Sequence, residues 1–277
     1  MACAKLPIYK NYTNKNSIIM KTKIIFRLTV LILAGFVMAV LYSCSDDDTK
    51  PASDTVSDID GNTYKTVIIG DQEWMAENLR VSKYNNGDAI PAGLSGTDWG
   101  STTSGAYAVY NNDDDMLEAY GKLYNWFAVD DSRGLCPEGW SVPSDEDWTQ
   151  LVNYISDQGF PNESDNPNGA ANALKSCRQE DSPEGGDCDT SEHPRWNSNG
   201  THHGFDEFGF SGFPGGVRYS SGSFYSIGGN GFWWSSSESS SLNAWSRTMT
   251  RLNGIVSRYD YPKGTGFSVR CFKNIDN

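Results

Sequence analysis

Gly134-Leu-Cys-Pro-Glu-Gly-Trp-Ser-Val-Pro-Ser-Asp-Glu-Asp-Trp148 brings a turn, a helix start and a cysteine together within fifteen residues. Pro137 to Gly139 has the composition of a tight turn, proline presetting one corner and glycine accepting the positive φ of the next. Pro143 has no N–H to give to a sheet, and Ser144 with Asp147 forms Ser-x-x-Asp, a capping box with Asp in place of Glu. A helix is expected from there. Trp148, Leu151, Val152 and Ile155 fall on one helical face, while Asp145, Glu146 and Asp147 favour the positive end of the helix dipole. Gly159 can take a left-handed cap and Pro161 prevents continuation. Cys136 in the same stretch is a candidate partner for Cys271, so one bond would enclose most of the chain.

The first fifty residues read differently. Lys21, Lys23 and Arg27 precede Leu28 to Tyr42, an uncharged run of fifteen residues that suits a secretory signal and is short of the roughly 20 needed to span a bilayer. Residues 1–43 are therefore read as an export signal, with Met20 the more natural start and residues 1–19 an upstream extension. Leu41-Tyr42-Ser43-Cys44 resembles the bacterial lipobox, which makes Cys44 the expected lipidation site; an ordinary secreted protein with a spare thiol at Cys44 is the plainer alternative. Several acyl chains, at about 0.8 kcal/mol per buried CH₂, would anchor the chain firmly. Ser45-Asp46-Asp47-Asp48 resembles the acidic export tag of surface lipoproteins of Bacteroidota. Residues 44–57 then form an acidic, lipid-anchored tether, and residues 58–274 a single domain.

Charge narrows the function classes. Removing the six Lys and Arg of residues 1–43 leaves 16 basic against 35 acidic residues, a formal charge of −19. Such a surface repels nucleic acid and anionic lipid, so no nucleic-acid partner is expected and the membrane is reached only through the lipid. Four cysteines remain in the exported domain, and an even number in that compartment points to disulfides. Cys177 and Cys188 enclose the polar segment 178–187, which leaves Cys136 with Cys271. Zinc competes less well, because no pair has Cys-x-x-Cys spacing.

Along the chain, Asp60-Gly61 is a hairpin signal and Thr63 to Ile69 a strand. Asp58, Asp60 and Asn62 also start like a calcium loop, but Thr63 and Ile69 stand where that loop needs Gly and Glu. Trp74 to Val81 is expected to cross the core, and residues 85–104 to form a long loop. Asn111 to Asp115 gathers acids and amides, a hard-cation candidate weighed against a solvated helix start. Leu117 to Val129 carries helical spacing and is read as a second core helix. Ala170 to Lys175 makes a short helix. Val217–Tyr225, Gly231–Ser235, Ala244–Arg251 and Gly266–Phe272 read as successive antiparallel strands.

Catalytic chemistry finds little footing. Gly-x-Ser-x-Gly is absent, and only His193, His202 and His203 could serve as a base. His202-His203 with Asp206 and Glu207 reads as solvated loop rather than metal site, so no metal or cofactor is assigned beyond the calcium possibilities. With 35 acids no particular glycosidase pair can be nominated. Aromatic rings are plentiful at 13% of residues, and flat rings with a polar tip suit ligand stacking. The Ser- and Gly-rich region 217–245 is where a binding site is expected, with Tyr225, Trp233 and Trp245 as its rings.

Seven motifs in order carry a family resemblance: Asp58-Ile-Asp-Gly-Asn62, Trp74-Met-Ala-Glu-Asn-Leu79, Tyr120-Gly-Lys-Leu-Tyr-Asn-Trp126, the run Cys136 to Trp148, Gly209-Phe-Ser-Gly-Phe-Pro-Gly-Gly216, Gly231-Phe-Trp-Trp-Ser235 and Gly266-Phe-Ser-Val-Arg-Cys271. Together they resemble the Fibrobacter succinogenes major paralogous domain, whose members are typically exported or surface lipoproteins. More weakly, Tyr124-Asn-Trp126 followed by Pro143 to Trp148 is similar to formylglycine-generating-enzyme and C-type-lectin-like folds. That likeness implies an α+β domain with two main helices packed on irregular, twisted antiparallel strands. It carries no activity, since the reactive cysteine pair of the one and the calcium triplet of the other have no counterpart here. The expected function is a cell-surface binding or adhesion module for glycan or extracellular matrix; a surface enzyme, either a glycan hydrolase or an oxidase of the formylglycine-generating kind, is the alternative.

Overall fold

A computed structural model describes residues 55–275. The export signal over 1–43, Cys44 and residues 44–54 of the tether lie outside the described residues. The domain opens with strands β1 (Thr55–Ser57), β2 (Thr63–Ile69) and β3 (Gln72–Met75). β1 falls in the stretch expected as tether, because Thr55-Val56-Ser57 finds a partner in Thr63 to Lys65. Between them Asp58 acts as a turn residue. Its carboxylate accepts from Asp60 N, from Asn62 N and Nδ2, and from the Tyr64 hydroxyl at 2.6 Å.

The next elements depart from the sequence expectation in an instructive way. Helix α1 (Gly96–Ser101) sits inside the stretch expected as loop, with Ser95 capping it and Trp99 fully buried. Strand β4 (Tyr107–Ala108) follows. Leu117 to Val129 is then not one helix but three pieces: α2 (Asp115–Tyr120), strand β5 (Leu123–Tyr124) and α3 (Trp126–Val129). Gly121 breaks the run at φ 72°, where an added Cβ would stand 2.9 Å from both Asn78 Cβ and Leu79 O. Leu123 and Tyr124 pair instead with β4, and Asn125 restarts helix by accepting from Ala128 N. The apolar pattern was a true core signal, and tertiary pairing changed the backbone that displays it.

Helix α4 (Asp145–Asp157) forms as read from its sequence. Ser144 Oγ accepts from Asp147 N at 3.2 Å, Ser144 N donates to Asp147 Oδ2 at 2.8 Å, and Gly159 takes φ 99° just past the end. Trp148, Leu151, Val152 and Ile155 are all buried. α4 is the one long helix among the described residues, so the expectation of two main helices is corrected. Helix α5 (Ala170–Leu174) is short and buried throughout.

Six strands complete the domain: β6 (Val217–Arg218), β7 (Phe224–Tyr225), β8 (Asn230–Glu238), β9 (Asn243–Thr250), β10 (Ser257–Pro262) and β11 (Phe272–Asn274). The single strand expected over 217–225 is a hairpin, and β10 was not anticipated. Pairing gives antiparallel sheets in the orders β1-β2-β3-β11 and β10-β9-β8, with the ladders β4-β5 and β6-β7 beside them. The architecture is α+β, with few helices and curled antiparallel sheets.

Gly266 to Phe272 is buried and extended, yet it pairs with a different neighbour at almost every step. Gly266 exchanges hydrogen bonds with Arg218, Phe267 with Tyr124, Ser268 with the β8 backbone, and the carbonyls of Val269 and Cys271 accept from Leu79 and Met75. This seam stitches both sheets and both ladders into one body. Cys271 on the seam bonds Cys136 from the central stretch, and Cys177 bonds Cys188, with Cα separations of 5.8 and 5.2 Å. Two large apolar clusters lie on either side of β8, one around Phe232, Trp234 and Phe267, the other around Trp233, Trp148 and Trp74. Among the described residues no helix is long and apolar enough to cross a membrane.

Candidate functional site

Alternation along β8 puts Phe232 and Trp234 on one face and Trp233 on the other, as the sequence requires. Both faces are covered. Trp233 is 0% exposed, donates its indole N–H to Asn78 Oδ1 at 2.9 Å, and packs on Trp148 and Phe210. Its assignment as a ligand-binding ring is therefore corrected: it is a core residue, because β8 runs between two apolar clusters rather than over one.

Trp245 is half-buried on β9, and its ring is already occupied. The guanidinium carbon of Arg258 lies 3.3 Å from the ring centroid, and Arg258 is held there by Asp145 at 2.8 Å. Asp145 also receives Arg247 at 2.7 Å. Burial pushes the Asp145 carboxyl up, but the two guanidiniums more than offset this and hold it below the usual carboxylate range. A ligand would have to displace this ion cluster to reach the Trp245 face.

Tyr225 stands in the open at 54% exposure, and Tyr219, which sequence reasoning did not single out, stands beside it at 37%. Their ring centroids are 5.6 Å apart and inclined at 55°. The β6–β7 hairpin places them there by pairing Val217 with Tyr225 and Arg218 with Phe224, so Arg218 and Phe224 face the opposite way from the tyrosines. Arg218 anchors the hairpin from below. Its guanidinium lies between Trp99 and Phe224, 4.4 and 5.0 Å from their centroids, and donates to Gly222 O at 3.2 Å and Leu94 O at 2.8 Å. Gly222, at φ 85°, passes so close to Gly96 that a Cβ would meet its Cα at 2.2 Å. The hairpin is thus fixed by buried contacts while its tyrosines remain free, and Ser220, Ser221 and Ser223 around them are exposed.

Other places offer less. A polar pocket of about 500 Å³ is lined by Ser141, Ser144, Asp147, Ser236, Lys273 and Asn274, but Asp147 is committed to the helix cap. A second, of about 540 Å³, is walled by the single exposed loop 163–167. His203 pairs with Glu184 at 3.0 Å, His193 meets the Tyr120 hydroxyl at 2.5 Å and His202 Nδ1 lies 3.5 Å from Asn172 Nδ2, so none of the three rings is hydrogen-bonded to a serine. Among the described residues no group of three or more His, Cys, Asp or Glu is placed to hold a metal ion, and all four described cysteines are in disulfides.

Fold and site together define a disulfide-tied α+β domain that presents two exposed tyrosines on a braced hairpin. The Fibrobacter succinogenes major domain matches residues 67–273, and the chain belongs to that family. No curated protein and no solved structure matches it.

Proposed function

We propose that the chain is a lectin-like recognition module at the cell surface, anchored through lipid on Cys44, that binds a glycan or matrix ligand at the β6–β7 hairpin. One observation carries this reading: Tyr219 and Tyr225 are exposed side by side on a hairpin that Arg218, Trp99 and Phe224 hold rigid from beneath. A backbone held in place before binding loses little conformational freedom on contact, so more of the contact energy of its rings is kept as affinity. The acidic surface fits a partner that carries no strong negative charge. A binding screen over immobilised glycans and matrix proteins tests the proposal, with wild type beside Tyr219→Ala and Tyr225→Ala. The expected result is a ligand retained by wild type and lost in both variants at unchanged melting temperature. Binding that neither substitution weakens would remove the hairpin from the site.

A further inference from the structure

We infer that the open tyrosines of the β6–β7 hairpin continue onto strand β10 as one platform that holds a linear, uncharged glycan. This rests on the recognition reading above and names its ligand class. Tyr225 and Tyr219 form one end, their centroids 5.6 Å apart. The hairpin tip then abuts the chain leaving β10, since Ser220 Cβ lies 3.9 Å from where a Cβ on Gly264 would stand. Tyr259 and Tyr261 occupy one face of β10, two residues and therefore roughly 6.6 Å apart along the strand. Tyr259 is 54% exposed, and Tyr261 is half-buried with its ring edge-on to Phe232 and Phe267. Tyr219 adjoins Ser220 in the chain, and on β10 Tyr261 is nearer to Gly264 than Tyr259 is, so Tyr261 is the β10 ring next to the hairpin; burial first, then Tyr219 and Tyr259, raise its phenol. The rings thus follow the order Tyr225, Tyr219, Tyr261, Tyr259.

Single exposed tyrosines need no explanation, but four in sequence across two separate elements form a surface with a direction. Its chemistry limits what can lie on it. Flat rings with hydroxyl tips suit the C–H faces and hydroxyls of sugar rings, and Ser220, Ser221 and Ser223 add hydroxyls at the hairpin tip. None of the three cations nearby presents an open charge: Lys263 pairs with Glu238, Arg258 with Asp145 and the Trp245 ring, and Arg218 is buried beneath the hairpin on the carbonyls of Gly222 and Leu94. Asp260, between Tyr259 and Tyr261 in the chain, points to the opposite face of β10, where it accepts from Ser239 and Asn243. The platform therefore offers rings and hydroxyls and no unpaired cation, on a chain whose formal net charge is −13. Uronic acids and sulfate esters would meet repulsion without compensation.

Affinity gel electrophoresis of the full chain in detergent tests this. Gels contain a linear β-glucan, a xylan or a galactomannan as uncharged probes, and polygalacturonate or heparin as acidic ones. Retardation by at least one uncharged polymer is expected and by neither acidic one. Tyr219→Ala and Tyr225→Ala should each weaken retardation about tenfold or more, the scale of a binding hot spot, and Tyr259→Ala by a smaller factor. No retardation in any uncharged gel, retardation confined to the acidic gels, or retardation indifferent to Tyr259→Ala would overturn the inference. Binding to a matrix protein that Tyr225→Ala abolishes would overturn the glycan assignment while leaving the hairpin site standing, so the two readings fail separately.

Discussion

Replacing Cys136 and Cys271 by alanine should destabilise the domain more than replacing Cys177 and Cys188. The first bond joins residues 135 apart in sequence and the second residues 11 apart. Loop-closure entropy in the denatured chain then assigns about 5 kcal/mol to the long bond and about 3 kcal/mol to the short one. Packing acts in the same direction. Cys136 and Cys271 are 3% and 0% exposed within an apolar cluster, where lost side-chain volume adds a cavity term, whereas Cys177 and Cys188 are partly exposed on a polar loop. Residual compactness of the denatured chain works against the full difference, because the ends are then not free to separate. A gap of about 2 kcal/mol between the two double variants is the expectation from the closure entropies. Guanidinium denaturation measures it, and its slope gives an independent reading. Cutting the long crosslink lets the denatured chain expand and expose more surface, so m should rise for Cys136→Ala/Cys271→Ala and hardly move for the other pair. Equal losses for the two pairs, or a larger loss for the short one, would refute the entropic account.

Trp233→Ala should cost roughly 3 to 5 kcal/mol of stability as a truncated core ring, whereas Tyr225→Ala should leave the melting temperature almost unchanged; similar melting temperatures for the two would contradict their placement. Ser144→Ala removes one half of the capping box and should cost about 1 kcal/mol, read as a lower denaturation midpoint at unchanged m. Burial lowers the Lys175 ammonium from 10.5 to about 7. The unfolded chain therefore binds the extra proton between those values, so stability is lowest below about pH 7 and rises toward pH 10.5, by at most roughly 5 kcal/mol. Lys175→Met should flatten that rise in denaturation midpoints taken from pH 6 to 10, and an unchanged slope would count against it. Mass spectrometry of the mature N-terminal peptide should find acylated Cys44; an unmodified Cys44 would remove the lipid anchor.

What was legible in the sequence was local. The turn at Pro137, the capping box at Ser144 and the glycine stop at Gly159 each depend on residues within a few positions of one another, and all three are in place. Leu117 to Val129 misled because helical spacing and burial were both genuine, while the backbone was decided by Gly121 against Asn78 and by the pairing of Leu123 with Ala108. Trp233 misled for a related reason: period-two alternation says that neighbours face opposite ways, but not that a second apolar cluster waits on the far side. β10 left no apolar signal, since an edge strand reading Ser-Arg-Tyr-Asp-Tyr-Pro is polar where it meets solvent. Tyr219 and Tyr259 were missed with it, although both stand among residues that sheet pairing would expose.

The irregular backbone creates a need that the buried cations meet. A chain with long loops and two-residue ladders leaves many interior carbonyls without a ladder partner, and each must find a donor. Lys175 donates to the carbonyls of His202, Thr250 and Asn253, and Arg270 to those of Phe210 and Ser211 as well as to Asn78 Oδ1. Arg218 serves Leu94 and Gly222. All three cations are buried and none of these bonds goes to a carboxylate, although acidic residues outnumber basic ones in the chain by 35 to 22. Burying an ammonium or guanidinium this way is costly, which is why burial lowers the pKa of each of the three. In exchange, a single side chain with several donors ties together segments far apart in sequence that no sheet connects. Apart from Asp58, the described acids are not buried and set the charge of the surface, while the buried cations set the rigidity of what lies above them. Arg218 does so directly beneath Tyr219 and Tyr225, which makes the proposed binding surface a consequence of how this fold satisfies its own loops.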